Sequence, residues 1–321
     1  MSLLADALQP HIVRELVRVG GRINHMAIPD VIVAPNAAYD LNFDNAAQRI
    51  SLDFRSAELF TPVLAADCCR LSSAAFQSVV SVQQEMLQAD SVAWCMVKLY
   101  YSAFYAGHTL IRLLGETCSY FDRQHIVRLD TLSKALGRLP NFRLETGVYH
   151  CVLDANHVVL NCARARGVSG GAHEAFWGIL GAKIASVSQE VLRGPLVRAD
   201  AQAVFAKLDA LKAILGRKAG YSWLSEIRND LQYKHRFGVW FPAQVNARER
   251  QMLSGCVGNW ARDPMRIDLL SGRSDTLADF VSCCTFLVGL CHTLLVRVAE
   301  RSSAGKRSFV LLGPLMFINQ R

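Results

Sequence analysis

The stretch DSVAWCMVKLYYSAFYAGHTLIRLLG, from Asp90 to Gly115, decides how the rest of this chain is read. Asp90 and Ser91 carry short side-chain oxygens of the kind that take up free N–H groups at a helix start, and Gly115 has the backbone freedom of a helix stop. Between them Trp94, Val97, Tyr101, Phe104, His108 and Ile111 recur at alternating steps of three and four. That spacing predicts one long helix with a buried seam along these six side chains. Truncating Tyr101 or Phe104 to alanine then carries the cost of a core aromatic, about 3–5 kcal/mol.

The device returns near the C-terminus, where Val281, Cys284, Val288, Cys291, Leu295 and Val298 follow the same steps with smaller side chains that let a partner helix come close. Two long amphipathic helices far apart in sequence point to a helical bundle rather than an α/β sheet. Periodicity and capping residues predict helices over 62–88, 90–115, 171–192, 199–216, 221–236, 246–260 and 275–301. Gly167, Gly170 and Gly171 mark a flexible connection within an insertion. The first sixty residues differ: Val31–Val33 and Ile50–Phe54 are short β-favouring runs separated by Pro29, Pro35 and turns rich in Asn and Asp. The expected fold is therefore mainly α. It has a strand-containing extension over 1–61, a helical domain over 62–302 with an insertion around 120–200, and a tail over 303–321.

A chain of 321 residues with 51% hydrophobic content has enough apolar material for one large core or two smaller ones, which excludes disorder. Asp6, His11, Arg14 and Glu15 interrupt any signal-peptide core at the start. The ten cysteines include the adjacent pairs Cys68-Cys69 and Cys283-Cys284 and no C-x-x-C, so they predict reduced, mostly buried thiols in a cytoplasmic compartment. Lys and Arg number 35 against 27 Asp and Glu, a net charge of +8 that favours an anionic partner. Because 27 of those cations are Arg, which grips phosphate bidentately and stacks on bases, nucleic acid fits better than a bare membrane surface. The run from Phe280 to Val296 has only His292 as an ionisable group and reaches the lower length of a membrane span. Ser282, Thr285 and Thr293 dilute it and Asp279 and Arg297 close it, so it reads as a buried bundle helix, with membrane association as the alternative.

Chemistry concentrates in Ser225–His235, SEIRNDLQYKH. On a continuous helix Arg228 and His235, seven residues apart, share a face about two turns from each other, and Asn229 adds an amide beside it. A guanidinium, an amide and an imidazole together suit the binding of an RNA phosphate and the movement of a proton at a 2'-hydroxyl. Arg18/His25, Arg143/His150 and Arg166/His173 have the same spacing, but those stretches contain glycines and follow the arginine with Val19, Leu144 or Gly167. Only at Arg228 is the spacing both helical and polar. Lys218, Lys234 and Arg236 form either a phosphate-binding rim or a solvated face. His108 reads as a core histidine. The cluster His150, Cys151, Asp154, His157 and Cys162 holds metal-ligand types at a spacing that matches no standard site, and no P-loop, G-x-G-x-x-G or nucleophile elbow occurs.

Arg228, Asn229 and His235, together with the aromatic run Tyr100-Tyr-Ser-Ala-Phe-Tyr-Ala-Gly-His108, resemble the HEPN superfamily, helical bundles that include prokaryotic endoribonucleases of toxin–antitoxin and phage-defence systems. The resemblance covers residues 90–301, with the stretch between its two parts read as an insertion. It implies a homodimer in which two Arg-Asn-His sets face one another across a symmetric cleft, acting on RNA without metal or cofactor, with an antitoxin or defence protein as a further partner. His235 is then the general base or acid, Arg228 stabilises the pentacoordinate transition state, and Asn229 orients the phosphate or the histidine. From a different class, a catalytically silent HEPN-like scaffold that holds a partner protein or nucleic acid fits the same bundle. The two readings differ in whether Arg228 and His235 open into a shared basic cleft or are locked in salt bridges.

Overall fold

The structure, a computed structural model, describes residues 2–319 except 24–25, 35–37, 89–90, 166–170, 241–244 and 270–275. Asp90, Pro35, Gly167 and Gly170, and the His25 and Arg166 members of the repeated spacing, lie outside the described residues. In chain order the elements are α1 Leu3–Leu8, α2 Asp30–Val33, β1 Asp40–Asp44, β2 Arg49–Asp53, α3 Ala57–Glu85, α4 Ala93–Leu113, β3 Glu116–Phe121 and α5 Arg123–Ala135. There follow β4 Gly147–Leu153, β5 Val159–Arg164, α6 Gly171–Arg193, α7 Arg198–Leu215, α8 Trp223–Gln232, α9 Ala247–Val257, α10 Thr276–Glu300, α11 Phe309–Leu312 and α12 Pro314–Asn319. The chain is mainly helical, as its periodicity predicts, with a five-stranded antiparallel sheet added to the helices.

Helix α4 lies at the centre, against α3, α10, α8 and α6. Its start is tied on both sides: the Ser91 hydroxyl accepts the Ala93 N–H at 3.2 Å and donates to the Val239 carbonyl at 2.7 Å. Small residues set how closely its neighbours come. A Cβ on Gly107 would stand 2.8 Å from the Phe176 ring and 3.1 Å from Leu180, so this glycine is what lets α6 lie against α4.

The C-terminal seam is buried throughout, from Val281 to Val298. The α4 seam departs from expectation. Val97, His108 and Ile111 are buried, but Tyr101 and Phe104 are half-buried and Trp94 is 54% exposed. The deep face runs instead through Met96, Leu99, Tyr100, Ala103, Ala106 and Leu110. Since α4 is covered on most sides, its hydrophobic pattern does not single out one face. Tyr101→Ala and Phe104→Ala should accordingly cost about 1–2 kcal/mol, less than a core aromatic, by urea titration.

Val31–Val33 forms no strand. The Asp30 carboxylate accepts the Ala27 N–H at 2.8 Å and starts a single helical turn, which buries Val31 and Ile32 near α5. A three-residue run is at the lower limit of strand length. Ile50–Phe54 does supply a strand, β2, and the sheet order β1-β2-β5-β4-β3 joins it to β5 far along the chain. The N-terminal strands and those of the expected insertion therefore share one sheet. Glu116 fastens that sheet to α6, accepting from His150 Nε2 at 2.7 Å and pairing with Lys183 at 2.9 Å.

Helix α10 is long and apolar enough to cross a membrane, and 72% of its most apolar window is buried inside the protein. All ten cysteines are free thiols, eight of them buried. The metal-ligand types around β4 and β5 are separately engaged: His157 Nδ1 bonds Glu15, Asp154 accepts from the Val158 and Val159 N–H groups, and Cys151 and Cys162 are buried. Among the described residues no group of three or more His, Cys, Asp or Glu side chains is placed to hold a metal.

Candidate functional site

Arg228 and Asn229 lie on α8 as expected, but His235 does not. The helix ends at Gln232, three residues before the histidine, so the two-turn shared face does not form. The local sequence explains the stop. The Asp230 carboxylate, buried on the last turn, draws back Lys234 at 2.7 Å and Arg236 at 3.0 Å, while the Arg236 N–H bonds the Asp230 carbonyl. The Trp240 indole N–H takes the Leu231 carbonyl at 2.7 Å. With the last carbonyls satisfied in this way, the chain turns through left-handed conformations at His235 (φ 49°), Phe237 (φ 69°) and Gly238 (φ 60°).

That turn presents His235 to solvent beside the Trp240 ring, with centroids 5.0 Å apart, and Trp240 in turn meets the exposed Trp94 edge-on at 5.4 Å. Tyr233, 68% exposed, stands two residues before the histidine. Of the three cations assigned to an RNA rim, Lys234 and Arg236 share Asp230, and Lys218 pairs with Glu226 at 3.0 Å. Each is exposed and each has a carboxylate partner.

Arg228 points the other way. It is 9% exposed, its guanidinium carbon lies 5.2 Å from the centre of the Tyr100 ring, and its Nε has no hydrogen-bond partner. Around it is a polar network that sequence reasoning missed. The Tyr100 hydroxyl receives the Trp177 indole N–H at 3.0 Å and lies 3.0 Å from His173 Nδ1 and 2.9 Å from the Ser225 hydroxyl. His173 sits in the first turn of α6, which opens at Gly171 with a φ of +79°. The glycines that argued against a helix around His173 stand before and at the start of the helix that carries it. A signal was present in the sequence: Ser225 and Arg228, one turn apart on α8, present a hydroxyl and a guanidinium to the same neighbour.

A second buried network adjoins the first. Asp67, fully buried on α3, accepts from Arg112 Nε at 2.5 Å and from Arg70, and Arg112 also contacts His108 Nδ1 at 3.1 Å. The His108 ring stacks on Phe176 at 3.9 Å, and Phe104 lies 4.6 Å from His108 and 4.3 Å from His173.

Burial, reinforced by Arg112, holds the His108 pKa well below its ordinary value, and burial, reinforced by Arg228, lowers that of His173 to about 4. Burial likewise lowers His292. These imidazoles are neutral in the folded chain, whereas an unfolded histidine takes up a proton near pH 6.5. Their contribution to stability is therefore complete above about pH 6.5 and is lost as the pH falls toward the folded-state value of His173, about 4. Thermal melts should show the midpoint dropping steadily from pH 7 to pH 5; a flat or rising midpoint would contradict the buried, neutral assignment.

Tyr100→Phe tests the first network. Trp177 is fully buried, so removing the hydroxyl leaves its N–H without an acceptor, at a cost of about 1–3 kcal/mol by chemical denaturation. An unchanged midpoint would mean that the indole finds another partner.

Comparison of the chain with models of known protein families, with curated proteins and with solved structures finds no match in any of the three.

Proposed function

We propose that this chain is a metal-independent endoribonuclease of HEPN-like class, working in the cytoplasm as a homodimer in toxin–antitoxin or phage defence. The observation that carries the reading is the end of α8. An exposed imidazole, His235, stands against the Trp240 ring, which in turn meets Trp94, just beyond the helix that holds Arg228, and Tyr233 two residues earlier is also exposed. Exposed aromatic rings beside cations suit single-stranded RNA, whose unpaired bases stack on them while the backbone follows the charge.

In this mechanism His235 removes the proton of a 2'-hydroxyl, the freed oxygen attacks the adjacent phosphorus, and the 5'-oxygen of the next nucleotide leaves and takes a proton from water, to which the imidazolium later returns its own. The products are a 2',3'-cyclic phosphate and a 5'-hydroxyl end. Because Arg228 and His235 face apart within one chain, it is across the homodimer cleft that Arg228 stabilises the additional negative charge on the pentacoordinate phosphorus, and Asn229, half-buried beside it, orients the phosphate. Lys218, Lys234 and Arg236 contribute through their exposed ends. A single deoxynucleotide placed at the cleavage site tests the chemistry: it should block the cut at that position alone, and cutting there would remove the mechanism.

A second reading, a silent HEPN-like scaffold, is favoured by the carboxylate partners of those three cations, because Asp230 and Glu226 offset much of the charge that would attract RNA. It expects binding of RNA or of a partner protein with no cleavage by the intact chain.

A further inference from the structure

Arg228 poses a physical problem that its place on α8 does not solve. The residue is 9% exposed, its Nε is buried, and among the described residues no carboxylate pairs with it. The Tyr100 ring face and a hydrogen bond to the Tyr100 hydroxyl offset part of the charge, and Nε remains without a partner. A buried cation without a counter-charge is costly, so folded chains retain one where an anion arrives to complete it.

The neighbouring network shows which groups meet that anion. The Tyr100 hydroxyl oxygen accepts one hydrogen bond from Trp177 and has a single proton to give. That proton goes either to His173 Nδ1, with the Ser225 hydroxyl donating to Tyr100, or to the Ser225 hydroxyl, with His173 Nδ1 donating. In the first arrangement, the one we adopt, the ring proton of His173 stands on Nε2. That nitrogen has no partner among the described residues, and the residue is half-buried. Half-buried Tyr101 and Phe104 flank the ring, with centroids 5.9 and 4.3 Å away.

We infer that Arg228 and His173, carried on different helices and held by Tyr100 and Ser225, form one oxyanion pocket whose ligand is a phosphodiester of single-stranded RNA. The identity of the ligand rests on the ribonuclease reading. The pocket adds to that reading a second imidazole, which binds phosphate as a neutral N–H donor and transfers no proton. Arg228 provides the charge, His173 Nε2 the directed hydrogen bond, and Tyr101 a ring against which an adjoining base stacks.

The test uses the full chain labelled with 15N-histidine and a 2'-O-methyl RNA octamer, which keeps the phosphodiester and lacks the nucleophile. The His173 imidazole signals should shift saturably as the octamer is added. Arg228→Leu and His173→Phe should each weaken binding at least about tenfold, the loss of one charge-assisted hydrogen bond. Arg228→Leu should keep or raise the melting temperature, because it removes a buried charge that the free protein does not compensate. The inference is overturned if the octamer binds without moving the His173 signals, if it does not bind, or if inorganic phosphate moves them and RNA does not. It is also overturned if Arg228→Leu lowers the melting temperature while affinity is kept, since the arginine is then structural. Cleavage of unmodified RNA separates this inference from the reading beneath it. A wild-type chain that shifts His173 but never cuts retains the pocket and loses the catalysis. A His173→Phe chain that cuts at the wild-type rate loses the pocket and leaves catalysis to Arg228 and His235.

Discussion

His235→Ala and Arg228→Ala are each expected to reduce RNA cleavage by about 10²–10⁴, for different reasons in the two cases. His235 is exposed on a left-handed turn, so its removal takes away proton transfer and little packing; secondary structure and melting temperature should stay at wild-type values. Arg228 is buried over Tyr100, and its loss removes charge stabilisation of the transition state while relieving the free protein of an uncompensated cation. A residue that lowers activity on removal without lowering stability is one retained for function. Single-turnover cleavage of a labelled RNA in excess EDTA is the appropriate assay, since neither an imidazole nor a guanidinium needs a metal to act on phosphate. Full activity in the His235→Ala chain would leave the scaffold reading ahead. Cleavage that stops in EDTA and returns with added magnesium would contradict the metal-independent mechanism.

The largest effect on stability is expected at Asp67. This carboxylate is fully buried on α3 and holds Arg112, 4% exposed on α4, together with Arg70. Asp67→Ala leaves the Arg112 guanidinium buried beside His108 with no carboxylate to meet it, at a cost of about 3–5 kcal/mol. That is a large part of the roughly 5–15 kcal/mol that keeps a chain folded, and it should lower the melting temperature by on the order of 10 °C. The companion measurement is the double variant Asp67→Leu/Arg112→Met. With both charges gone no buried ion is left uncompensated, so much of the lost stability should return. A double variant as unstable as the single one would show that the hydrogen bond from Arg112 to the His108 carbonyl, at 2.9 Å, matters more than the ion pair. A single variant within 1 kcal/mol of wild type would mean that water enters the site and solvates the arginine.

Both experiments address the same part of the fold, where α4 meets α3, α6 and α8. Its two networks lie on either side of Phe104 and Phe176, and each contains a histidine kept neutral by burial and a nearby arginine. The arginines differ in one respect. Arg112 has a carboxylate of its own and serves the fold, whereas Arg228 has none among the described residues.

The long helices were legible in the sequence by itself. Residues 57–85, 93–113, 171–193, 198–215 and 276–300 fall within a few positions of their predicted bounds, because periodic apolar residues and capping side chains act within a turn or two of where they stand. The buried C-terminal seam was legible for the same reason. What the tertiary structure alone decided depends on pairing across distance. Strands β3, β4 and β5 are six or seven residues each, too short to stand out, and β2 finds its partner β5 more than a hundred residues away. The end of α8 was settled by a buried Asp230 recapturing two cations and by Trp240 returning to the Leu231 carbonyl, contacts that helical spacing does not encode. The partner of Arg228 was hidden most completely. Tyr100, His173, Ser225 and Arg228 come from three helices, and only the packing of α6 and α8 on α4 brings these hydroxyls, the imidazole and the guanidinium together around the Tyr100 ring.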